Sequence, residues 1–365
     1  MTAINHAAVT SVPSYNRQAV NALKQRYARQ NFALMALLFA ALLVFPILPG
    51  VQGWMAQQAS LVIIYIMAAQ GVSILTGYTG LVSVGHGGFL AIGAYAAALL
   101  SKHFGADIVT AVVAGGAMAS FIGMILGLIF LRLGGPFMAI GTLGFAFFVG
   151  TIVNNVELFE GRTGISLPPN HFFGTVLDDK GFYYVSVLFL ALVTLFIWSL
   201  VRSGVGRAFK ALRDAEKAAE SSGVNRWLYR TLAFSISAFI TGIAGALNGL
   251  VTLYVSSEVY ADIWYSVDIL VAAVVGGSAT LLGPFLGGTF VAMLPYVLEE
   301  LADFALILKG VVLIAVLVFA PAGLVAVLAR PVQDYRRLKL ARAAMEAGAT
   351  SYSSIGSVRN QPGRA

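Results

Sequence analysis

Long apolar runs alternate with short polar breaks along most of this chain. They lie at roughly Phe32–Leu48, Trp54–Leu75, Leu81–Leu100, Ile108–Leu131, Phe137–Val153, Phe182–Val201, Thr231–Val255, Ser266–Leu281, Phe285–Leu298 and Leu308–Leu328. An α-helix rises about 1.5 Å per residue, so about 20 residues cross a hydrocarbon core of about 30 Å. Most of these runs have that size. The pattern predicts an all-α polytopic membrane protein with about ten transmembrane helices. The runs at Ser266–Leu281 and Phe285–Leu298 are short and separated only by Leu282-Gly283-Pro284. They are expected as half-helices or a tight hairpin, whose broken backbone has to face protein or a water-filled cavity because lipid cannot satisfy free amides.

Composition agrees with this picture. Of the 365 residues 59% are hydrophobic and 11% charged, more apolar surface than a soluble domain of this length could bury. The chain has no cysteine, which excludes disulfides and thiolate metal sites. His6, His86, His103 and His171 are scattered without ligand spacing, so no metal site is expected. Nothing matches G-x-x-x-x-G-K-[ST], and no catalytic dyad stands out, so any ATP hydrolysis must come from another chain.

Charge then sets an orientation. Lys and Arg concentrate in the first thirty residues (Arg17, Lys24, Arg26, Arg29), in Arg202–Arg230, and from Arg330 onward. These stretches are expected on the cytoplasmic side. Most acidic residues lie elsewhere, among them Glu157, Glu160, Asp178, Asp179, Glu258, Asp262, Glu299, Glu300 and Asp303, at loops assigned to the far side. The organisation that follows is a cytoplasmic arm over 1–30 without a signal-peptide cleavage site, a transmembrane domain over 31–329 with a cytoplasmic loop at 202–230, and a disordered cytoplasmic tail over 330–365. The net charge of +7 is then explained by orientation and by anionic lipid, with no need of nucleic acid.

Gly206–Asn225 is a dense charged island between two apolar runs. Asp214, Ala218, Ala219 and Gly223 follow the pattern of a short helix, Gly223 being placed to end it in a left-handed cap. Arg213, Asp214 and Glu220 could be a merely solvated face. The length of the island and its small residues exceed what a loop requires and point to a docking surface.

A glycine-rich stretch, Gly77–Tyr95, joins the second and third runs and contains Tyr78, Ser83, Gly85 and His86. The glycines allow close helix approach. His86 has two readings, a packing histidine satisfied by neighbours or a ring lining a pathway, since an ionisable side chain in an apolar region avoids lipid. Thr163-Gly164 is either an ordinary loop turn or a source of amides and a hydroxyl for a carboxylate. Asp268, two residues after Ser266, reads as the first turn of a helix that Ser266 caps, or as a polar contact in a translocation path.

The glycine-rich stretch, the charged island and the stretch Ser266-Val-Asp-Ile-Leu…Gly276-Gly277…Leu282-Gly283-Pro284…Gly287-Gly288 occur in an order that resembles the LivM-type permeases of branched-chain amino-acid ABC importers, from about Trp54 to Leu328. Gly77, Tyr78 and Gly80 match that family's Gly-Tyr-x-Gly run, and Ser83, Gly85 and His86 its Ser-x-Gly-His run. The resemblance implies an ABC-importer permease fold and import of branched-chain or other hydrophobic amino acids by alternating access. It implies a substrate pathway at Tyr78, Ser83, Gly85, His86, Thr163, Gly164 and Asp268, and a coupling helix at Arg213, Asp214, Ala218, Ala219, Glu220 and Gly223. The implied partners are a second permease chain of LivH type, two ATPase subunits of LivG/LivF type that use ATP and Mg, and a periplasmic solute-binding protein, all at a bacterial inner membrane. Urea, short amides and aromatic acids are alternative solutes, although urea-type relatives tend to carry Gln where this chain has His86. Two other classes remain open, an ion-coupled secondary transporter and a non-transporting scaffold.

Overall fold

In the computed structural model the described residues are 35–130, 136–172, 174–260 and 263–297, with isolated positions between 307 and 325. The arm over 1–30, the tail over 330–365 and about two thirds of the run Leu308–Leu328 lie outside them. The compact unit Leu42–Val327 holds every element below except the first turns of α1, which begins at Met35.

Each apolar run up to Leu298 contributes a helix among the described residues. These are α1 (Met35–Ile47), α2 (Gly53–Ser73, continued by a π-helical turn over Ile74–Tyr78), α3 (His86–Phe104), α4 (Ile108–Phe130), α5 (Pro136–Asn155) and α6 (Asp179–Arg202). The charged island forms α7 (Gly204–Asp214) and α8 (Glu216–Ser221), and there follow α9 (Arg226–Thr252), the short α10 (Ser257–Tyr260), α11 (Ile263–Gly276) and α12 (Gly283–Val297). Five helices among the described residues are long and apolar enough to cross a membrane, in α2, α4, α5, α6 and α9. α1, α11 and α12 are shorter apolar helices. The predicted third run starts late: Leu81–Gly85 is not helical, and α3 begins at His86.

α9 is the axis of the bundle and packs most extensively on α4, α3 and α2. The reason lies in small residues. α4 turns Gly115, Gly116, Ala119, Gly123 and Gly127 inward at roughly helical spacing, and α9 answers with Gly242 toward α4 and with Gly245 and Gly249 toward α3. Without side chains between them the backbones approach closely, the association mode open to helices in lipid. Ser120 and Ser235 hydrogen-bond at 2.9 Å across the same interface. The opposite faces of α4 and α5 expose Phe121, Ile125, Leu128, Phe137, Ile140 and Phe148, as lipid contact requires.

α11 and α12 form the expected tight hairpin. A Cβ on Gly287 would come within 1.8 Å of the Ala272 carbonyl oxygen, so the two backbones touch. Pro284 stands at the second position of α12, where a missing N–H costs no helical bond.

Small extended pieces tie the ends of the long helices. β1 (Ile165–Ser166) pairs antiparallel with β4 (Tyr254–Val255) after α9, and β2 (His171–Phe172) pairs with β3 (Thr175–Val176). At that same end Lys102 meets Glu160 in an ion pair. The opposite end of the bundle gathers Gly77, Arg213, Ser278 and Gly323.

Candidate functional site

The interior begins at the non-helical approach to α3. Gly80 has φ +73°, the chain reverses as the Leu81 amide bonds to the Leu75 carbonyl at 3.0 Å, and the backbone then runs without helical structure among the helices as far as Gly85. Side-chain hydroxyls take over its hydrogen bonds. The Val84 amide donates to Thr142 Oγ1 at 3.0 Å, and the Gly87 amide to Ser266 Oγ at 3.0 Å. Gly85 passes so near α5 that a Cβ there would lie 1.8 Å from the Thr142 carbonyl oxygen. Irregular backbone inside a membrane protein is sustained only by such internal partners.

His86 is 1% exposed and sits where this approach becomes helix. Nδ1 is 3.0 Å from Ser83 Oγ, and Nε2 is 2.7 Å from Ser237 Oγ. Ser237 in turn donates its proton to the Gly71 carbonyl at 2.7 Å. That last bond fixes the rest. With its proton directed at Gly71, Ser237 accepts from Nε2–H, and Nδ1 accepts from the Ser83 hydroxyl, which assigns one neutral tautomer. Both ring nitrogens are therefore engaged, and the ring links α2, α3 and α9. Phe89 packs edge-on against it at 5.7 Å, with Phe145 of α5 beyond at 5.0 Å from Phe89.

The other predicted pathway residues divide into separate places. Tyr78, Ser83, Gly85 and His86 share the approach to α3. Thr163 and Gly164 lie at the far end, where Thr163 Oγ1 donates to Glu160 O at 2.6 Å and its amide bonds to the same carbonyl at 3.1 Å. Gly164 has φ +68°, and the Tyr254 hydroxyl donates to the Thr163 carbonyl at 2.9 Å. Both Thr163 donors thus serve a local turn. The capping role predicted for Ser266 is overturned, because α11 already includes Ile263, and Ser266 lies inside the helix with its hydroxyl on Gly87. Asp268 is accordingly an interior helix residue. Nearby on the same helix, the ring of Tyr265 packs against that of Tyr65 from α2, with centroids 5.6 Å apart.

That pair belongs to a polar cluster not singled out from the sequence. The Asn248 amide donates to Tyr265 Oη at 2.7 Å, and Tyr260 Oη donates to Asn248 Oδ1 at 2.7 Å. α2, α9, α10 and α11 meet there. An asparagine inside the apolar run of α9 was the available signal, since a lone amide among aliphatic residues needs partners.

The charged island is two helices, not one. Ala215, at φ −157°, breaks it, so Arg213 and Asp214 end α7 while Ala218, Ala219 and Glu220 belong to α8. α7 is strongly amphipathic and buries Phe209 and Leu212. α8 closes in a Schellman motif: Val224 N–H bonds to Ala219 O at 3.0 Å and Gly223 N–H to Glu220 O at 2.9 Å, with Gly223 left-handed at φ +86°. Glu216 accepts from Arg226 Nη1 at 3.0 Å and Arg230 Nη2 at 2.8 Å, and Glu220 lies 3.1 Å from Arg226 Nε. α8 is thereby clamped to the start of α9. Ala219 is buried in that contact, whereas Lys217, Ala218, Glu220 and Ser221 face outward.

Comparison with known proteins agrees with this layout. Residues 54–321 match the family model described as branched-chain amino acid transport system / permease component. The chain belongs to this permease family. It is 32% identical over 292 residues to the high-affinity branched-chain amino acid transport system permease protein LivM of Escherichia coli (strain K12), covering 73% of this chain and 68% of the relative. To LivM of Salmonella typhimurium it is 30% identical, covering 81% and 75%. To the LivH permease of Escherichia coli (strain K12) it is 26% identical, covering 73% and 92%. This permease is thus a multi-pass membrane protein of LivM type, a transport subunit and not an enzyme.

Proposed function

We propose that the chain is the transmembrane subunit of an ATP-driven importer for branched-chain or other hydrophobic amino acids. The observation that carries this reading is the family match across 54–321, which takes in the glycine-rich approach, the charged arm and the α11–α12 hairpin together. The exposed side of α8 is the docking surface for an ATPase subunit that supplies ATP and Mg chemistry, and this chain binds no cofactor of its own. A LivH-like second permease completes the pathway, a role supported by the presence of LivM and LivH proteins among the relatives. A periplasmic binding protein delivers solute to the end marked by Glu160 and Tyr254. Both termini and the arm α7–α8 lie in the cytoplasm of a bacterial cell, with the chain in its inner membrane.

Transport proceeds by alternating access. Movement of the docked arm shifts α9 and the helices packed on it as bodies, opening the path first to one side and then to the other. The Asn248–Tyr265 cluster and Asp268 are the polar features that a zwitterion would meet.

The test is reconstitution of the affinity-purified complex in proteoliposomes with ATP inside. ATP-dependent uptake of leucine, isoleucine or valine is expected, with ATPase and second permease chains co-purifying. Uptake of urea, a short amide or an aromatic acid in their place would reassign the solute. Uptake driven by an ion gradient without ATPase chains would overturn the reading.

A further inference from the structure

At the arm's end of the bundle, one arginine joins three parts of the fold that are far apart in sequence. The π-helical turn over Ile74–Tyr78 ends α2, and the next amide to fold back, that of Leu81, bonds to Leu75 O, leaving the Gly77 carbonyl for a side chain. Arg213 Nη1 donates to it at 2.8 Å. The same guanidinium donates through Nε to Asp214 Oδ1 at 2.9 Å, so its plane is held from two sides. Its aliphatic stem lies against Gly80, where a Cβ would come within 2.9 Å of Arg213 Cγ. One turn earlier on α7, Lys210 reaches over the Tyr78 ring at 5.8 Å.

Gly77 also faces the turn between α11 and α12. A Cβ at Gly77 would stand 1.9 Å from the Ser278 carbonyl oxygen, and Gly323 presses on Gly277 at the same turn, its own Cβ position 2.5 Å from Gly277 Cα. The end of α2, the hairpin turn and the end of α7 therefore form one junction. The arm has a separate anchor, because α8 is fastened to α9 through Glu216.

We propose that Arg213 is a positioning residue inside this permease, a strut that carries displacement of the arm into the end of α2 and the α11–α12 turn, and not a contact for the ATPase. This rests on the importer reading above and changes the role of one residue within it. The arm then drives the bundle at two points, α9 through Glu216 and the hairpin through Arg213. A rigid planar fork suits this task, because it fixes direction as well as distance.

The experiment compares wild-type protein with R213Q, R213K and D214N in the purified complex. It measures the amount of ATPase subunit retained, basal ATP hydrolysis, and amino acid moved per ATP hydrolysed. R213Q is expected to retain the ATPase subunit and basal hydrolysis while the transport ratio falls about fivefold or more, the scale of an ordinary coupling energy. R213K should keep part of the ratio, since it can still reach the Gly77 carbonyl, and D214N should be intermediate. An unchanged ratio in R213Q overturns the strut, as does loss of the ATPase subunit from R213Q, which would make Arg213 a docking contact. Should R213Q fail to assemble, D214N decides, a reduced ratio supporting the strut and a wild-type ratio overturning it. A wild-type preparation that captures no ATPase would overturn the importer reading, and the strut with it.

Discussion

Nε2 of His86 lies 2.7 Å from Oγ of Ser237, 151 positions further along the chain, and this contact fastens the start of α3 to the middle of α9. Ser237 continues the link to the Gly71 carbonyl in α2. Three helices are thereby held by groups that have exchanged all contact with solvent for contact with one another.

Replacing His86 with Leu removes both bonds and leaves the hydroxyls of Ser83 and Ser237 buried with fewer partners, at a cost of about 1–3 kcal/mol. The expected result is a lower melting temperature in detergent and a lower yield of assembled protein, with initial uptake per assembled complex unchanged. Gln, which can donate and accept, should lose less than Leu. Thermal denaturation followed by size exclusion, together with proteoliposome uptake normalised to complex, makes the comparison. A reduced per-complex rate at normal yield would instead assign the ring to the solute path.

Gly223 stands at φ +86° with nothing within 4 Å of a Cβ added there, so a side chain would meet open space and the cost of substitution is purely conformational. A β-branched residue in the left-handed region costs roughly 1–2 kcal/mol. Gly223→Val should insert normally yet show weak solute-stimulated ATPase activity, while Gly223→Asn stays near wild type. Equal stimulation in the Val variant would contradict a coupling role for α8.

Glu216 is about one-third exposed, as is its partner Arg226, so each ion pair is worth only about 0–1 kcal/mol. Glu216→Ala should leave global stability almost unchanged. Loosening α8 by about 1 kcal/mol raises its open population about fivefold, and tryptic cleavage at Lys217 should quicken accordingly. Cleavage at the wild-type rate would mean that the apolar contact of Ala219 alone holds the helix.

Cysteines placed singly at Ser166 and Ser222 in this cysteine-free chain should label from opposite sides of the membrane. Both positions are exposed, Ser166 on β1 and Ser222 just after α8. Ser166 should react in intact cells and Ser222 only after permeabilisation. Labelling of both from one side would break the predicted orientation.

The positions of the helices were legible because apolar length is a strong, local signal. The α11–α12 hairpin was legible from its two short apolar runs, but its turn falls earlier than expected, at Gly277–Leu282, and Gly283 and Pro284 already open α12. Gly223 could be read because few residues besides glycine adopt the conformation that a helix end of this kind requires. Thr142, Ser237 and Ser266 could not, as each is an ordinary hydroxyl residue in an apolar helix and its partner lies 58, 151 or 179 positions away. Ser266 was misread as a cap because a serine near the start of an apolar run usually is one. Here its hydroxyl serves a backbone amide from another helix, and α11 starts earlier. The break at Ala215 had no glycine or proline to announce it. It follows from tertiary structure, with Arg213 drawn to Gly77 on one side and Glu216 to Arg226 and Arg230 on the other.

The order of donors along Ser83, His86, Ser237 and Gly71 bears on what energy source this interior can use. A proton wire conducts only if each member can pass on the proton it receives and then turn around. Here the last member is a peptide carbonyl, which accepts a hydrogen bond but does not carry a proton onward. The line is a cul-de-sac. The buried imidazole, the residue type best suited to proton relay, is thus wired into a dead end, and a proton gradient finds no handle on it.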